Sequence, residues 1–178
     1  MYTLTETLYK ELKTSLKKEF SYINDLELPK LKSVSINTGI KAIDSDNKLT
    51  SYILSEMTKI CGQKAVLTYS SKAISGFKLR QGMAIGCKVT LRGKKMYQFL
   101  DKLINIALPR IRDFRGLSSK GFNSSSHYSF GIKDHAIFLE VDLDNIFKVF
   151  GMNITICSTA KSKKECLFLL KKMNLPIK

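Results

Sequence analysis

The most regular pattern in the chain is an alternation of apolar and polar residues between positions 85 and 92. One face of this segment carries Ile85, Cys87, Val89 and Leu91, and the other carries Gly86, Lys88, Thr90 and Arg92. Such alternation predicts a strand with one buried face and one polar, cationic face. Shorter alternations predict further strands at 32–38, 64–68, 128–132 and 152–157. The run 137–139 fits either a strand or a short turn.

Helical spacing of apolar residues predicts the remaining elements. Leucines recur every four residues from Leu4, and Thr3 with Glu6 forms a capping box, so we expect an N-terminal helix over 4–20. A second helix is expected over 49–60. A third is expected over 96–111, bent or ended near Pro109, and a C-terminal helix over 162–173, capped by Ser162 with Glu165.

This order of elements predicts one α+β domain over residues 1–178, with a mostly antiparallel sheet and helices packed on one face. The second face of the sheet would then be exposed and polar. It would carry Ser33, Ser35, Asn37, Lys88, Thr90, Arg92, Asn153 and Thr155. Hydroxyl, amide and cationic groups of this kind bind sugar and phosphate without reading sequence. The face lacks a pair of aromatic residues for stacking bases, which favours structured RNA over single strands.

Charge strengthens the nucleic-acid interpretation. The chain has 30 basic and 15 acidic residues, and its 59–120 stretch alone contains 14 basic and 2 acidic residues. Concentration of one sign in a structured stretch is typical of proteins that neutralise phosphates. The alternatives are a well-solvated basic surface and, for the chain as a whole, an anionic membrane surface as partner.

A long loop over 70–86 lies inside the basic stretch and shows neither strand nor helix periodicity. It carries three cations, Lys72, Lys78 and Arg80, with Phe77 between them, and three glycines, Gly76, Gly82 and Gly86. Glycines permit positive φ or close backbone approach, and loops of this length are usually functional or disordered. We expect this basic loop to be mobile in the free protein and to contact a nucleic-acid backbone.

Nothing in the sequence indicates catalysis, a cofactor or a metal. His127 and His135 are the only histidines, and no metalloprotease, phosphate-loop or serine-nucleophile motif occurs. The carboxylates of Glu140, Asp142 and Asp144 fit a solvated edge or loop. The four cysteines, which show no C-x-x-C spacing, are expected to be reduced and metal-free: Cys61, Cys87, Cys157 and Cys166. No apolar run approaches the roughly 20 residues of a membrane span.

Six segments, taken in order, resemble one family. They are Ser35-Ile-Asn-Thr-Gly39, Gly62-Gln-Lys64, Ser75-Gly-Phe-Lys-Leu-Arg-Gln-Gly82, Ile85-Gly-Cys-Lys-Val-Thr-Leu-Arg-Gly93, Leu108-Pro-Arg-Ile-Arg-Asp-Phe-Arg-Gly-Leu117 and Ile154-Thr-Ile-Cys-Ser-Thr-Ala160. The chain is similar over nearly its whole length to the family of the large-subunit ribosomal protein numbered five, of the bacterial type. The run from Arg110 to Leu117 is the most specific of these segments.

The resemblance implies a non-enzymatic constituent of the large ribosomal subunit that supports translation from the central protuberance. Its expected partners are 5S rRNA, large-subunit rRNA, P-site tRNA, a small-subunit head protein and neighbouring large-subunit proteins, with no membrane. The 5S rRNA site is expected at Asn37, Gln63, Lys88, Thr90 and Arg92. The tRNA elbow is expected to meet Lys72, Gly76, Phe77, Lys78, Arg80 and Gly82. An intersubunit bridge is expected near 110–146, with Arg110, Arg112 and Arg115.

Two features qualify the resemblance. The run Asn123-Ser-Ser-Ser-His127 stands where the family has a Gly-rich turn, which leaves the local loop and part of the bridge open. Lysine greatly outnumbers arginine, as in A+T-rich coding, and the N-terminus resembles neither a secretory signal nor a transit peptide. These features predict an organelle-encoded version in the mitochondrial matrix, with the cytoplasm of an A+T-rich bacterium as the alternative. A non-ribosomal structured-RNA-binding module or RNA chaperone is a further alternative function.

Overall fold

The strands form one five-stranded antiparallel sheet, which confirms the predicted α+β class. The computed structural model describes residues 12, 13, 15–17, 19, 20, 22, 24–40, 47–124 and 126–178. The strands are β1 (Leu31–Gly39), β2 (Val66–Tyr69), β3 (Ala84–Leu91), β4 (Tyr128–Ile132) and β5 (Met152–Ser158). Their order across the sheet is β2-β3-β1-β5-β4.

The α-helices that follow the first strand are α1 (Asn47–Cys61), α2 (Gly93–Lys102) and α3 (Lys163–Lys172). The described residues between positions 12 and 20 are also helical, in agreement with the predicted N-terminal helix. The predicted cap at Thr3 and Glu6 lies outside the described residues. Within the described part of the chain, no helix has both the length and the apolar character needed to cross a membrane.

The chain divides into two compact units. The first consists of Met1–Val34, Arg92–Phe130 and Thr155–Lys178, and the second of Ser35–Leu91 and Gly131–Ile154. The single domain expected over residues 1–178 stays a prediction.

In the second unit, α1 packs against β3 through its apolar stripe. Leu49, Ile53, Met57 and Ile60 are buried at the helical spacing that the sequence shows. The Thr58 hydroxyl donates to the Leu54 carbonyl at 2.7 Å and accepts from the Ala65 amide at 3.1 Å. This hydroxyl therefore joins the last turn of α1 to the chain that leads into β2.

In the first unit, α2 buries Met96, Phe99 and Leu100 and then widens into a π-helical turn at Leu103–Ala107. The Leu108 amide donates to the Leu103 carbonyl at 2.9 Å, a π-type hydrogen bond. Pro109 follows and has no amide to continue the ladder. The predicted end of this helix near Pro109 is confirmed.

The C-terminal helix begins as predicted. The Ser162 hydroxyl accepts from the Glu165 amide at 3.2 Å and donates to the Glu165 carboxylate at 3.0 Å. Glu165 also accepts from the Lys161 amide at 3.0 Å. These bonds satisfy amides that the first turn of the helix leaves without partners.

Turns rather than a strand connect β4 to β5. Short 3-10 helices form at His135–Ile137 and Leu143–Asn145, so the open choice at 137–139 resolves as a turn. The Asp142 carboxylate accepts from the Asp144 amide at 3.2 Å and from the Asn145 side chain at 2.7 Å. These contacts lower the pKa of Asp142. Of the three alternating carboxylates, that of Asp142 therefore caps a turn.

His135 anchors this connection from inside the second unit. Its side chain is fully buried, and its ring stacks on Phe150 with 4.0 Å between centroids. Its Nδ1 atom accepts from the Phe150 amide at 3.3 Å. Burial lowers the pKa of His135 below its usual 6.5, against the opposing charges of Asp134 and Glu56.

We expect the free energy of unfolding to fall as the pH drops below about 6.5, because the unfolded chain then binds a proton that native His135 does not. This contribution is complete above that pH and is lost as the pH falls toward the native pKa. The variant His135→Phe keeps a ring against Phe150 but cannot titrate. Urea unfolding at pH 7.5 and pH 5.5 should show a smaller pH difference in this variant than in wild type. A pH difference in His135→Phe equal to that of wild type would contradict the assignment.

Candidate nucleic-acid interface

Strand β3 provides the polar surface that its sequence predicts. Cys87, Val89 and Leu91 are buried, whereas Lys88 and Thr90 are exposed. Arg92 follows directly, is exposed, and occupies the N-cap position of α2 in extended backbone conformation. The predicted alternation is thus present, with a cation, a hydroxyl and a second cation presented to solvent.

Strand β1 adds less to this surface than predicted. Asn37 is exposed and Ser35 half-buried, but Ser33 is only 7% exposed. Leu31, on the same side of the strand by its alternation, is buried to the same extent. The prediction of an exposed Ser33 is wrong, because the polar side of β1 is covered in its first half. On β5, Asn153 is exposed and Thr155 is half-buried.

Gln63 lies beside Thr90, although the two are far apart in the sequence. The Gln63 side-chain amide donates to the Thr90 carbonyl at 3.2 Å. Gly62, with φ of +63°, turns the chain at the end of α1 and places Gln63 there. The carbonyl, not the hydroxyl, is the acceptor in this bond. We call the surface formed by Asn37, Gln63, Lys88 and Thr90 the open face.

The register of the hairpin places an apolar residue next to Lys88. Val66 pairs with Lys88 across the β2–β3 ladder and is 59% exposed. Paired residues project from the same side of a sheet, so Val66 borders the open face. The sequence reasoning missed it because the pattern of β2 alone does not show which of its residues pairs with Lys88. The predicted strand 64–68 also begins two residues too early. In the structure the strand runs from Val66 to Tyr69.

Gly86 lies on the same side of β3 as Lys88 and Thr90. A Cβ atom at this position would lie 2.4 Å from the Thr38 carbonyl oxygen and 3.2 Å from the Thr68 hydroxyl. The close approach of the backbone predicted for this glycine is confirmed. Only a residue without a side chain permits β1 and β3 to come this near at this point.

The basic loop is shorter and more ordered in its hydrogen bonding than the sequence suggests. Ala84 pairs with Tyr69 and Gly86 with Thr68, so residues 84–86 belong to β3 and the predicted loop boundary is wrong there. At the neck of the loop, Ser70 donates to the Met83 carbonyl and accepts from the Gly82 amide, each at 2.9 Å. At its tip, Ile74 and Leu79 exchange amide bonds of 3.0 and 3.1 Å.

The side chains of this loop point into solvent. Lys72, Lys78 and Arg80 are exposed, and Phe77 is 69% exposed. Ile74, which the sequence reasoning did not single out, is 44% exposed at the same tip. The structure therefore brings three cations and an aromatic ring onto one hairpin-like projection.

The conformational roles of the loop residues differ from those predicted. Gly82 has φ of +80°, as expected of a turn glycine. Gly76 has no left-handed φ, and a Cβ there would meet nothing within 4 Å. The left-handed residue at the tip is Lys78, with φ of +53°. Gly76 therefore does not serve a positive φ, whereas its expected close approach to a nucleic acid stays a prediction.

The three arginines of the specific motif lie on an exposed segment after α2. Arg110, Arg112 and Arg115 are all exposed. Leu117 ties the end of this segment to the C-terminus, since its amide donates to the Pro176 carbonyl at 2.8 Å and its carbonyl accepts from the Lys178 amide at 2.9 Å. The segment is thus fixed at one end by backbone bonds while its cations face solvent.

A group of exposed apolar side chains in the second unit escaped the sequence reasoning. It consists of Leu139, Leu143, Phe147 and Val149, each more than half exposed. Leu139 and Leu143 are sequence neighbours of the carboxylates at 140, 142 and 144. Acidic and apolar residues alternate over 139–144, which could have drawn attention to this segment. The chain forms turns there instead of a strand.

The cysteines offer no metal site among the described residues. Cys61, Cys87 and Cys166 are buried, Cys157 is half-buried, and none of the four forms a disulfide. No cluster of three or more metal-binding side chains occurs in the part of the chain that the structure describes. Burial raises the pKa of Cys87 to about 11. The metal-free state stays a prediction: elemental analysis of purified protein should find no stoichiometric zinc, and one zinc per chain would contradict it.

Comparison with known proteins identifies the family to which the chain is similar. Residues 24–80 match the family profile described as Ribosomal protein L5, and residues 84–177 match the profile for the C-terminus of the same ribosomal family. A large ribosomal subunit protein uL5 from Geotalea daltonii is 49% identical over 178 residues, spanning 100% of this chain and 99% of the relative. The uL5 protein of Flavobacterium johnsoniae is 49% identical over 165 residues, spanning 93% and 90% of the two chains.

The chain belongs to the ribosomal protein uL5 family. The resemblance stated from its motifs is therefore confirmed. Members of this family are structural proteins and not enzymes, which confirms the prediction of a non-enzymatic chain.

Proposed function

We propose that this chain is a structural constituent of the large ribosomal subunit, in the central protuberance, and that its open face together with Arg92 binds 5S rRNA. The observation that carries the proposal is the exposed row Lys88, Thr90 and Arg92, with Gln63 held against Thr90. Cations bind phosphate, and hydroxyl and amide groups bind sugar and base edges. The uL5 names of the full-length relatives support a place in the large subunit.

The composition of the open face favours a folded RNA over a single strand. Its described side chains are an amide, a second amide, a cation and a hydroxyl, with Val66 at its border. Single-strand binding usually needs aromatic rings on which successive bases stack. A helical RNA presents its backbone and 2′-hydroxyls instead, and these suit the groups that this face exposes.

The basic loop is proposed to contact the elbow of P-site tRNA. Its support is the exposure of Lys72, Lys78, Arg80 and Phe77 on a projection closed at its neck by backbone bonds. Contacts from such a projection to phosphates would position any tRNA without reading its sequence. Gly82 and Gly76 carry no side chain that would hinder a close approach.

The region of 110–146 is proposed to form the intersubunit bridge to a small-subunit head protein. Arg110, Arg112 and Arg115 supply exposed cations. Leu139 and Leu143 supply exposed apolar surface beside carboxylates, which suits a protein partner better than RNA. Large-subunit rRNA and neighbouring large-subunit proteins complete the proposed partners.

The ribosome is the proposed location. The mitochondrial matrix inferred from the lysine-rich composition stays a prediction, whereas the bacterial relatives are consistent with a bacterial cytoplasm. The ribosomal assignment is tested by sedimentation of native extract followed by sequencing of the RNA that co-purifies with the chain. Co-migration with large subunits is expected. A chain that sediments only as free protein would favour an RNA-binding module outside the ribosome.

We expect the triple variant Lys72→Ala, Lys78→Ala and Arg80→Ala to weaken retention of P-site tRNA while leaving the fold and 5S rRNA binding unchanged. The three side chains are exposed and make no contribution to the core. The measurement is the rate of tRNA dissociation from reconstituted ribosomes, which should rise severalfold. A charge-matched control replaces Lys30, Lys32 and Lys171, also exposed, by alanine. Equal dissociation rates for the loop variant and the control would show that the loop does not hold tRNA.

A further inference from the structure

An apolar groove lies in the first unit, apart from every residue assigned to RNA above. It has a volume of about 390 Å³ and is formed by the N-terminal helix, the turn at 119–122 and the first half of α3. Its apolar walls are Phe20, Phe122, Leu167 and Phe168. All four side chains are half-buried, so part of each apolar surface remains open to solvent.

The walls of the groove are held in place by contacts within the unit. Phe20 meets Phe168 edge to face with 5.6 Å between ring centroids. Phe122 packs on Tyr128 at 4.6 Å, and the Tyr128 hydroxyl donates to the Ser118 carbonyl at 2.8 Å. The groove is therefore preformed, which lowers the entropic cost of binding.

The rim of the groove carries an excess of positive charge. Lys163 and Lys164 line it from the first turn of α3 and are exposed, against one carboxylate from Glu19. Lys172 lies over the Phe168 ring at 5.8 Å, on the same helix. A partner with carboxylates beside its apolar residues would complement this rim.

A flipped RNA base fits the groove less well than an apolar side chain does. Among the described residues that line the groove, Ser119 is the one polar side chain apart from the charged rim. A base enclosed there would leave most of its hydrogen-bonding edge unpaired, which is costly.

We propose that this groove docks a protein segment whose apolar anchors are flanked by acidic residues. Given the function proposed above, on which the identity of the partner depends, the segment would belong to a neighbouring protein of the ribosome. Apolar anchors in a preformed groove supply affinity, and the lysines select acidic flanks.

The test measures fluorescence anisotropy of a labelled synthetic peptide with the full-length chain. The peptide carries two leucines and one phenylalanine at helical spacing, flanked by four glutamates. Wild type should bind this peptide. The affinity should fall about tenfold for the double variant Lys163→Glu with Lys164→Glu, because two attractions between rim lysines and peptide glutamates become repulsions. The control Lys133→Glu with Lys171→Glu makes the same charge change outside the groove and should bind like wild type. A second peptide with alanine at the three anchors should lose binding.

Several results would overturn the proposal. These are equal binding by the groove variant and the control, equal binding of the anchorless peptide, and displacement of the peptide by single-stranded RNA. Self-association of the wild-type chain that disappears in the groove variant would assign the groove to a second copy instead. Measuring 5S rRNA binding in the same variants separates this proposal from the ribosomal one. The groove variant should bind 5S rRNA as the control does, whatever the peptide result.

Discussion

Gly86→Ala is expected to destabilise the protein by roughly 3 kcal/mol, because the new methyl group has no space. Its carbon would lie 2.4 Å from the Thr38 carbonyl oxygen, a backbone atom that cannot move without disturbing β1. For a chain of this size such a loss lowers the melting temperature by roughly 6–12 °C. Thermal unfolding followed by circular dichroism measures it. The same variant should bind 5S rRNA more weakly, since Gly86 lies on the side of β3 that carries Lys88 and Thr90.

The chain provides a matched control for this prediction. A Cβ atom at Gly76 would meet nothing within 4 Å, and Gly76 has no left-handed φ. Gly76→Ala should therefore change the free energy of unfolding by less than about 1 kcal/mol. Equal melting temperatures for the two variants would mean that β1 and β3 do not approach each other as closely as described.

Substitutions on the sheet surface are expected to lower 5S rRNA affinity in stages. Thr90→Val and Asn37→Ala each remove a neutral hydrogen-bonding group, worth about 0.5–1.5 kcal/mol. Arg92→Ala removes a charged one, worth about 1.5–3 kcal/mol. If these contributions add, the triple variant should bind roughly two to four orders of magnitude more weakly than wild type. Filter binding of purified protein to 5S rRNA measures each step.

Salt dependence distinguishes the role of Arg92 from that of the other two residues. Loss of one phosphate contact should reduce the slope of log affinity against log salt by roughly 0.7–0.9. Thr90→Val should leave that slope unchanged, because a hydroxyl displaces no counterion. Lys133→Ala, an exposed cation outside the open face, is the control for nonspecific charge loss. Wild-type affinity in all three surface variants, with folding intact, would contradict the assignment of this surface to 5S rRNA.

The regular elements could be predicted because burial imposes a period on the sequence. The alternation in β3 and the stripes of α1 and α2 reflect faces that exclude water, and the structure places them as expected. The Ser162 cap is equally local, since its partner lies three residues away. Features of this kind depend on neighbours in sequence and leave a direct pattern there.

Features that depend on contacts between distant parts of the chain are harder to predict from the sequence than the periodic elements. Ser33 lies on the side of β1 that carries polar residues, so its sequence neighbours do not indicate that it is buried with Leu31. The left-handed residue at the loop tip is Lys78, whereas the sequence pointed to Gly76. The groove beside α3 combines residues from positions 20, 122 and 168, and each of them alone is consistent with an ordinary core residue.

Gln63 shows that family resemblance can identify a site residue that the hydrophobic pattern of the sequence does not indicate. Periodicity assigned Gln63 no role, because it follows the end of a helix and belongs to no strand. Its inclusion in the expected 5S rRNA site came from the family resemblance alone. The hydrogen bond to the Thr90 carbonyl then supplies a physical reason, since it holds the Gln63 side chain beside the exposed row of β3.

The most direct test of the central claim is ultraviolet cross-linking of native large subunits, with sequencing of the RNA attached to the peptide that contains Thr90 and Arg92. We expect this RNA to be 5S rRNA and the cross-link to disappear in the triple surface variant. Attachment of this peptide to a different RNA, with 5S rRNA cross-linked elsewhere on the chain, would contradict the assignment of the open face.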